Sequence, residues 1–192
     1  MTWTSDEEAR RAMAAWVEAH GRAVRGYLWA VTGSPHDADD LCQQVFMRIW
    51  MARRQYREEG SSRAFLFRVA DRVARDWLRR RREKTLSEPQ WTLVEPSDDG
   101  ERPDDRLLRI EAGKRLSEAM NVLTEAQRRV LLLKYYGDMT FTEIAQVAEM
   151  PLGTVLSHAR RGLQRLRGHM EREWETGGGQ VDGQRVSEET TR

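Results

Sequence analysis

Apolar positions recur every three or four residues along most of this chain, and no stretch shows the period-two alternation of a half-buried strand. The reading is therefore all-helical. Ser5 with Glu8 three residues on forms a capping box that opens a first helix, which carries Met13, Trp16, Val17, His20, Val24, Tyr27, Leu28 and Val31 inward and stops at Gly33. Ser34-Pro35 supplies an N-cap and a proline for the first helical position. The second helix runs from there to about Ala52, with Ala38, Leu41, Cys42, Val45, Phe46 and Ile49 on its packed side. A third helix from about Ser62 into Arg82 aligns Leu66, Val69, Ala70, Val73 and Trp77. Leu108 to Leu123 and Glu125 to Tyr136 give two more, the second opened by Thr124 with Gln127 at capping-box spacing.

The stretch from Thr140 to Arg167 has the pattern of a helix-turn-helix. Thr140 and Glu143 form a capping box, and Phe141, Ile144, Ala145 and Ala148 share one face of a short helix. Pro151 and Gly153 then punctuate the chain, and Thr154 is placed to cap a second helix with Val155, Ala159, Leu163, Leu166 and Met170 recurring on its inner side. Its other face carries Ser157, His158, Arg160, Arg161, Gln164, Arg165 and Arg167, with no acidic residue between Gly153 and Met170. Such side chains bond phosphates and base edges when a helix lies in a major groove.

Charge divides the chain where periodicity lapses. Lys and Arg exceed Asp and Glu by five in residues 1–82 and again by five in 106–172, whereas acids exceed bases by six in 83–105 and by three in 173–192. The overall net charge of +1 hides this alternation. Pro89, Pro96, Pro103, Gly100 and Ser97-Asp98-Asp99 break any helix in the acidic stretch. The expected organisation is two small helical domains joined by a flexible acidic linker: residues 1–82, the linker 83–105, a helix-turn-helix domain 106–172 and a disordered glycine-bearing tail 173–192. A hydrophobic fraction of 39% in 192 residues suits two small cores better than one large one.

The same composition narrows the chemistry. One cysteine, Cys42, forms no internal disulfide, and the four histidines His20, His36, His158 and His169 are scattered, so neither a metal site nor a catalytic constellation is expected. No cofactor is implied. No apolar run is long enough to span a membrane, and the first residues, with Asp6, Glu7 and Glu8, lack the basic-then-apolar pattern of a signal; the expectation is a cytoplasmic protein without stable membrane insertion.

Three segments, DADDLCQQVFMRIW (Asp37 to Trp50), SSRAFLFRVADRVARDWLRRRR (Ser61 to Arg82) and LTEAQRRVLLLKYYGDMTFTEIAQVAEMPLGTVLSHARRGLQRLR (Leu123 to Arg167), resemble in order and spacing the extracytoplasmic-function sigma factors of bacterial RNA polymerase. The resemblance covers most of residues 10–170. It implies that Asp40, Leu41, Gln43, Gln44, Phe46 and Arg48 bind the clamp of the largest polymerase subunit. It implies that the third helix recognises and helps melt the minus-ten promoter element, for which Phe65, Phe67, Arg68, Arg72, Arg75, Arg79 and Arg80 are the candidates. The helix-turn-helix would read the minus-thirty-five element through Thr154, Ser157, His158, Arg160, Arg161 and Arg165, with the flap of the second-largest subunit as a further partner and an anti-sigma factor as regulator. The chain departs from the family pattern at Arg72, Thr124, Leu156 and His158, so base contacts at 72, 156 and 158 do not transfer.

Read from residues alone, the arginine-bearing third helix can track a nucleic-acid backbone and its aromatics can face unstacked bases. The function expected is a promoter-specificity subunit that binds core polymerase and does no covalent chemistry itself. Two other readings stand beside it: a dimeric helix-turn-helix regulator that acts without polymerase, and a protein that titrates polymerase or an anti-sigma partner.

Overall fold

The structure, a computed structural model, describes residues 5–53, 61–84 and 118–177, with backbone only for 84 and 173–177. Its helices are α1 (Asp6–Thr32), α2 (Pro35–Met51), α3 (Ser62–Lys84), α4 (Glu125–Gly137), α5 (Phe141–Ala148) and α6 (Leu152–Gly177), preceded at 118–121 by the end of a further helical segment. Among the described residues there is no strand. Most of the helix predicted from Leu108, the bulk of the acidic linker and the tail beyond 177 lie outside the described residues.

The helix starts follow the local chemistry. Ser5, Thr124 and Thr140 each accept a hydrogen bond from the amide three residues on, and Glu8, Gln127 and Glu143 return one to the cap amide. Each such cap contributes about 1 kcal/mol. Ser34 caps α2 ahead of Pro35, and Gly33 ends α1 at φ 70°, where a side chain would clash.

In the first bundle α1, α2 and α3 pack mutually around Val24, Leu28, Leu41, Val45, Ile49, Leu66, Phe67, Ala70 and Val73. In the second, α4 and α5 hold α6 through Val130, Leu133, Ile144, Val147, Val155 and Ala159. The two cores are continuous, because α4 lies against α1 and α5 against α3. Gly26 makes the closest approach: a Cβ there would fall 2.6 Å from the ring of Tyr136.

Four expectations need correction. Val17, read as inward, is 47% exposed; the continuous buried stretch of α1 is 26–32, where α4 packs on it as well. Thr154 does not cap α6; the helix begins at Leu152, and the Thr154 and Val155 amides bond Pro151 O at 2.9 and 3.1 Å. The turn is made earlier, by Glu149 in the left-handed region at φ 57°. Leu163 and Met170 are exposed, because the inner face of α6 runs through Val155, Ala159, Gly162 and Leu166. At Gly162 a Cβ would stand 3.0 Å from Leu131, so the missing side chain lets α6 close on α4. Finally, α3 continues to Lys84 and α6 to Gly177, past the boundaries expected at 82 and 172.

Candidate nucleic-acid interface

The outer face of α2 is a strip one helical turn wide. Ala38, Leu41, Val45 and Ile49 point into the core, which leaves His36, Asp40, Gln43, Met47 and Met51 outward at spacings of three and four. Asp40 and Gln43 are exposed, Gln44 is half-buried, and Asp40 lies 3.5 Å from His36. Beside it, Arg25 grips Asp39 with two donors, and this hydrogen bond, outweighing the effect of burial, keeps the Asp39 carboxyl below its ordinary range. Of the residues expected to meet a partner here, Leu41 does not qualify: it is 2% exposed, and turning it outward would empty the core. Phe46 is half-buried against the same core. Met47 and Met51, 59% and 74% exposed, belong to the strip as well, standing seven residues after Asp40 and seven after Gln44.

Along α3 the arginines divide by face. Arg68, Arg72, Arg79 and Arg80 are exposed, and Arg68 and Arg72 have no ion pair among the described residues. Asp76 gathers the next turn: it accepts from Arg48 at 3.4 Å and Arg79 at 3.5 Å, and its carbonyl accepts from Arg80 Nε at 3.2 Å. Arg81 lies over the Trp77 ring, 4.9 Å from its centre. The aromatics are less available than expected. Phe67 is fully buried against Tyr27, ring centres 5.7 Å apart, and is withdrawn from the set that faces bases. Phe65 is half-buried beside Trp16.

The third face of α3 meets the second bundle at a buried carboxylate. Asp71, 1% exposed, accepts from the Tyr27 hydroxyl at 2.9 Å, from Arg129 Nε and Nη2 at 2.8 and 2.6 Å, and from Arg75 Nε at 3.2 Å. Burial, reinforced by the Asp71 charge, pushes the Tyr27 hydroxyl well above its ordinary value. Burial alone would lower the Arg129 guanidinium, yet the Asp71 hydrogen bond and charge outweigh it and raise it. Around this knot Arg82 pairs with Glu125 at 2.6 Å, Arg63 with Asp138 at 3.0 Å, and Ser61 donates to Glu143 at 3.3 Å. Arg75 is thus tied inward, whereas Arg129, Tyr136 and Asp138 form a junction that the sequence pattern did not disclose.

The outward side of α6 is open. Thr154, Ser157, Arg160, Arg161 and Arg165 are exposed and His158 is half-buried. Arg160 and Arg161 make no ion pair among the described residues, but Arg165 donates to Gln127 Oε1 at 3.2 Å and Arg167 to Glu171 at 2.8 Å. The free arginines therefore lie in the middle turns, after Ser157. No group of three or more His, Cys, Asp or Glu among the described residues is arranged to hold a metal, and no described helix is long and apolar enough to cross a membrane.

Comparison with known proteins places both bundles. Residues 16–84 match the family model Sigma-70 region 2, and residues 113–166 match Sigma-70, region 4. The chain is 30% identical to the ECF RNA polymerase sigma factor RpoE of Cereibacter sphaeroides, over 77% of this chain and 80% of that one. It is 31% identical to the RNA polymerase sigma-E factor of Streptomyces antibioticus, over 71% and 72%. Among solved structures, the sigma factor RpoE in complex with the anti-sigma factor NepR from Bartonella quintana superposes with TM-score 0.66 at 16% identity, covering 86% of this chain and 98% of that one. CnrH in complex with the cytosolic domain of CnrY superposes with TM-score 0.64 at 22% identity, covering 85% and 90%. At these identities the structural matches speak for the fold.

Proposed function

The chain belongs to the extracytoplasmic-function sigma factors of bacterial RNA polymerase, which bind core enzyme and direct promoter-specific initiation, and we propose how its own residues divide that work. The α2 strip of Asp40, Gln43, Gln44, Arg48, Met47 and Met51 docks on the clamp of the largest subunit: polar groups set the register and two flexible thioethers fill gaps in the partner surface. The exposed arginines Arg68, Arg72, Arg79 and Arg80 of α3 hold the backbone of the minus-ten element, with Phe65 at the edge of the opened bases. The open side of α6 enters the major groove of the minus-thirty-five element, where Ser157 and Thr154 approach base edges and Arg160 and Arg161 bond phosphates. The flap of the second-largest subunit holds the second bundle in place. The protein acts in the cytoplasm beside the polymerase, and an anti-sigma factor restrains it.

The observation that carries this reading is the presence, in one chain, of two helical units that each leave arginines on an outward face without an ion pair among the described residues, Arg68 and Arg72 on α3 and Arg160 and Arg161 on α6. A dimeric operator-binding regulator would leave the first of these without employment. Family members are initiation factors and not enzymes, and the polymerase supplies the nucleotide chemistry.

Run-off transcription tests it. Purified protein added to bacterial core polymerase on a genomic fragment library should give discrete start sites, and replacing both Arg160 and Arg161 with alanine should abolish them. Stable core binding without specific starts would instead identify a polymerase-titrating protein.

A further inference from the structure

Within the first two turns of α6, residues 152–158 include no Arg, Lys, Asn or Gln, the side chains that grip guanine or adenine with two hydrogen bonds. Beside Thr154 and Ser157, these turns expose two apolar side chains. Leu152 and Leu156 are 42% and 44% exposed, four residues apart and so on one side of the helix, while Val155 and Ala159 occupy the core side. Between them Gly153 opens onto empty space, with nothing within 4 Å of where its Cβ would stand. The backbone there can come closer to a groove floor than any side-chain-bearing residue would allow. Arg160 and Arg161 follow directly, which sets a positive charge beside the apolar pair and favours a polyanion over an apolar protein surface.

One group on a major-groove floor suits such a pair: the C5-methyl of thymine, which no other base carries. Resting on the assignment of α6 to the minus-thirty-five element, we propose that Leu152 and Leu156 read thymine methyl groups and so bias this factor toward upstream elements with thymine at the positions facing the start of α6. Ser157 and Thr154 supply single hydrogen bonds at the flanks, and the arginines fix the register without choosing the base. Leu163 and Met170 continue the apolar stripe, but Leu163 sits about 10 Å further along the axis than Leu156 and Met170 further still, beyond the turns that enter the groove.

The test substitutes deoxyuridine for thymidine in the upstream element of a promoter found by run-off mapping, which removes the methyl and nothing else. Start formation should fall about fourfold for each methyl read, the value of one buried methylene. L156A should lose the part of that sensitivity due to its own methyl and L152A/L156A should respond equally to both templates, while L156M retains it. Wild-type protein that initiates equally well on thymine and uracil templates would overturn the proposal and leave the stripe to a protein partner. Absence of specific starts on every fragment would instead remove the assignment on which it rests.

Discussion

The outward face of α6 and the junction between α3 and α4 carry arginines of the same chemistry in opposite circumstances. Arg160 and Arg161 stand in solvent with no carboxylate to hold them among the described residues, whereas Arg75 and Arg129 converge on a carboxylate that is 1% exposed. The first pair is ready to meet a phosphate at the cost of displacing water and counterions. The second would first have to surrender a desolvated partner. A basic helix is therefore not one kind of surface: what an arginine can bind depends on which carboxylates the fold has already brought to it.

The largest test of this contrast is at its buried end. Asp71→Ala leaves two guanidiniums and a phenol facing an empty site, and should cost about 3–5 kcal/mol of stability. A thermal melt that shifts by no more than a surface substitution would show that water reaches the knot. Next comes Gly26→Ala, whose new Cβ would meet the Tyr136 ring at 2.6 Å. Overpacking of this kind costs about 1–3 kcal/mol, but Tyr136 stands on the other bundle, so separation of the bundles relieves the clash. Amide exchange should accelerate along α4 and leave α2 unchanged. Gly162→Ala is the internal control, because its clash with Leu131 at 3.0 Å is within one bundle. There a helix-propensity gain of up to about 1 kcal/mol offsets the strain.

At the open end, Arg161→Ala should lower the slope of log affinity against log salt for duplex upstream DNA by about 0.9, measured with polymerase present. Arg165→Ala should lower it less, since Gln127 already holds that side chain. An equal loss from both would mean that the Gln127 tether yields on binding.

The smallest effect concerns Glu143. Its carboxyl is held below the ordinary range by the Thr140 amide, with the Thr140 hydroxyl and Ser61 adding to the same effect. A group whose folded-state pKa is lowered stabilises the fold above its unfolded value, 4.5, and that stability is lost as pH falls through the folded value. Because the group stands largely in water, the difference in stability between wild type and Glu143→Gln should be only a few tenths of a kcal/mol near neutral pH. It should vanish as the pH falls below 4.5 and through the lowered folded value. A difference unchanged across that range would place the stabilisation elsewhere.

Much of the fold was legible because its signals are local. A capping box is written within four residues, so Ser5, Thr124 and Thr140 marked their helix starts, and Gly33 marked an end. The errors came where one helix face has to be chosen over its neighbour. Leu163 and Met170 satisfy the same three-to-four spacing as Val155 and Ala159, and only the close approach of α4 to Gly162 decides which row turns inward. Likewise Leu41 and Phe67 sit within motifs that suggest contact with partners, and packing claims both. Thr154 looked like a cap because Gly153 looked like a turn, yet the chain turns on Glu149, where the left-handed geometry came from a residue with no special preference for it.

The chain's order of residues by itself determined the helices, their caps, the two basic blocks with an acidic stretch between, and the outward arginines of the last helix, since each depends on neighbours within a turn or two. Only the tertiary structure decided that Asp71 would be shared by Tyr27 and Arg129, 44 and 58 positions away, and that a glycine on α1 would receive a tyrosine from α4. Contacts at such separations have no periodicity to announce them. They arise when two amphipathic bundles, each complete in its own pattern, find that burying one more face against each other removes more apolar surface from water than leaving both faces wet.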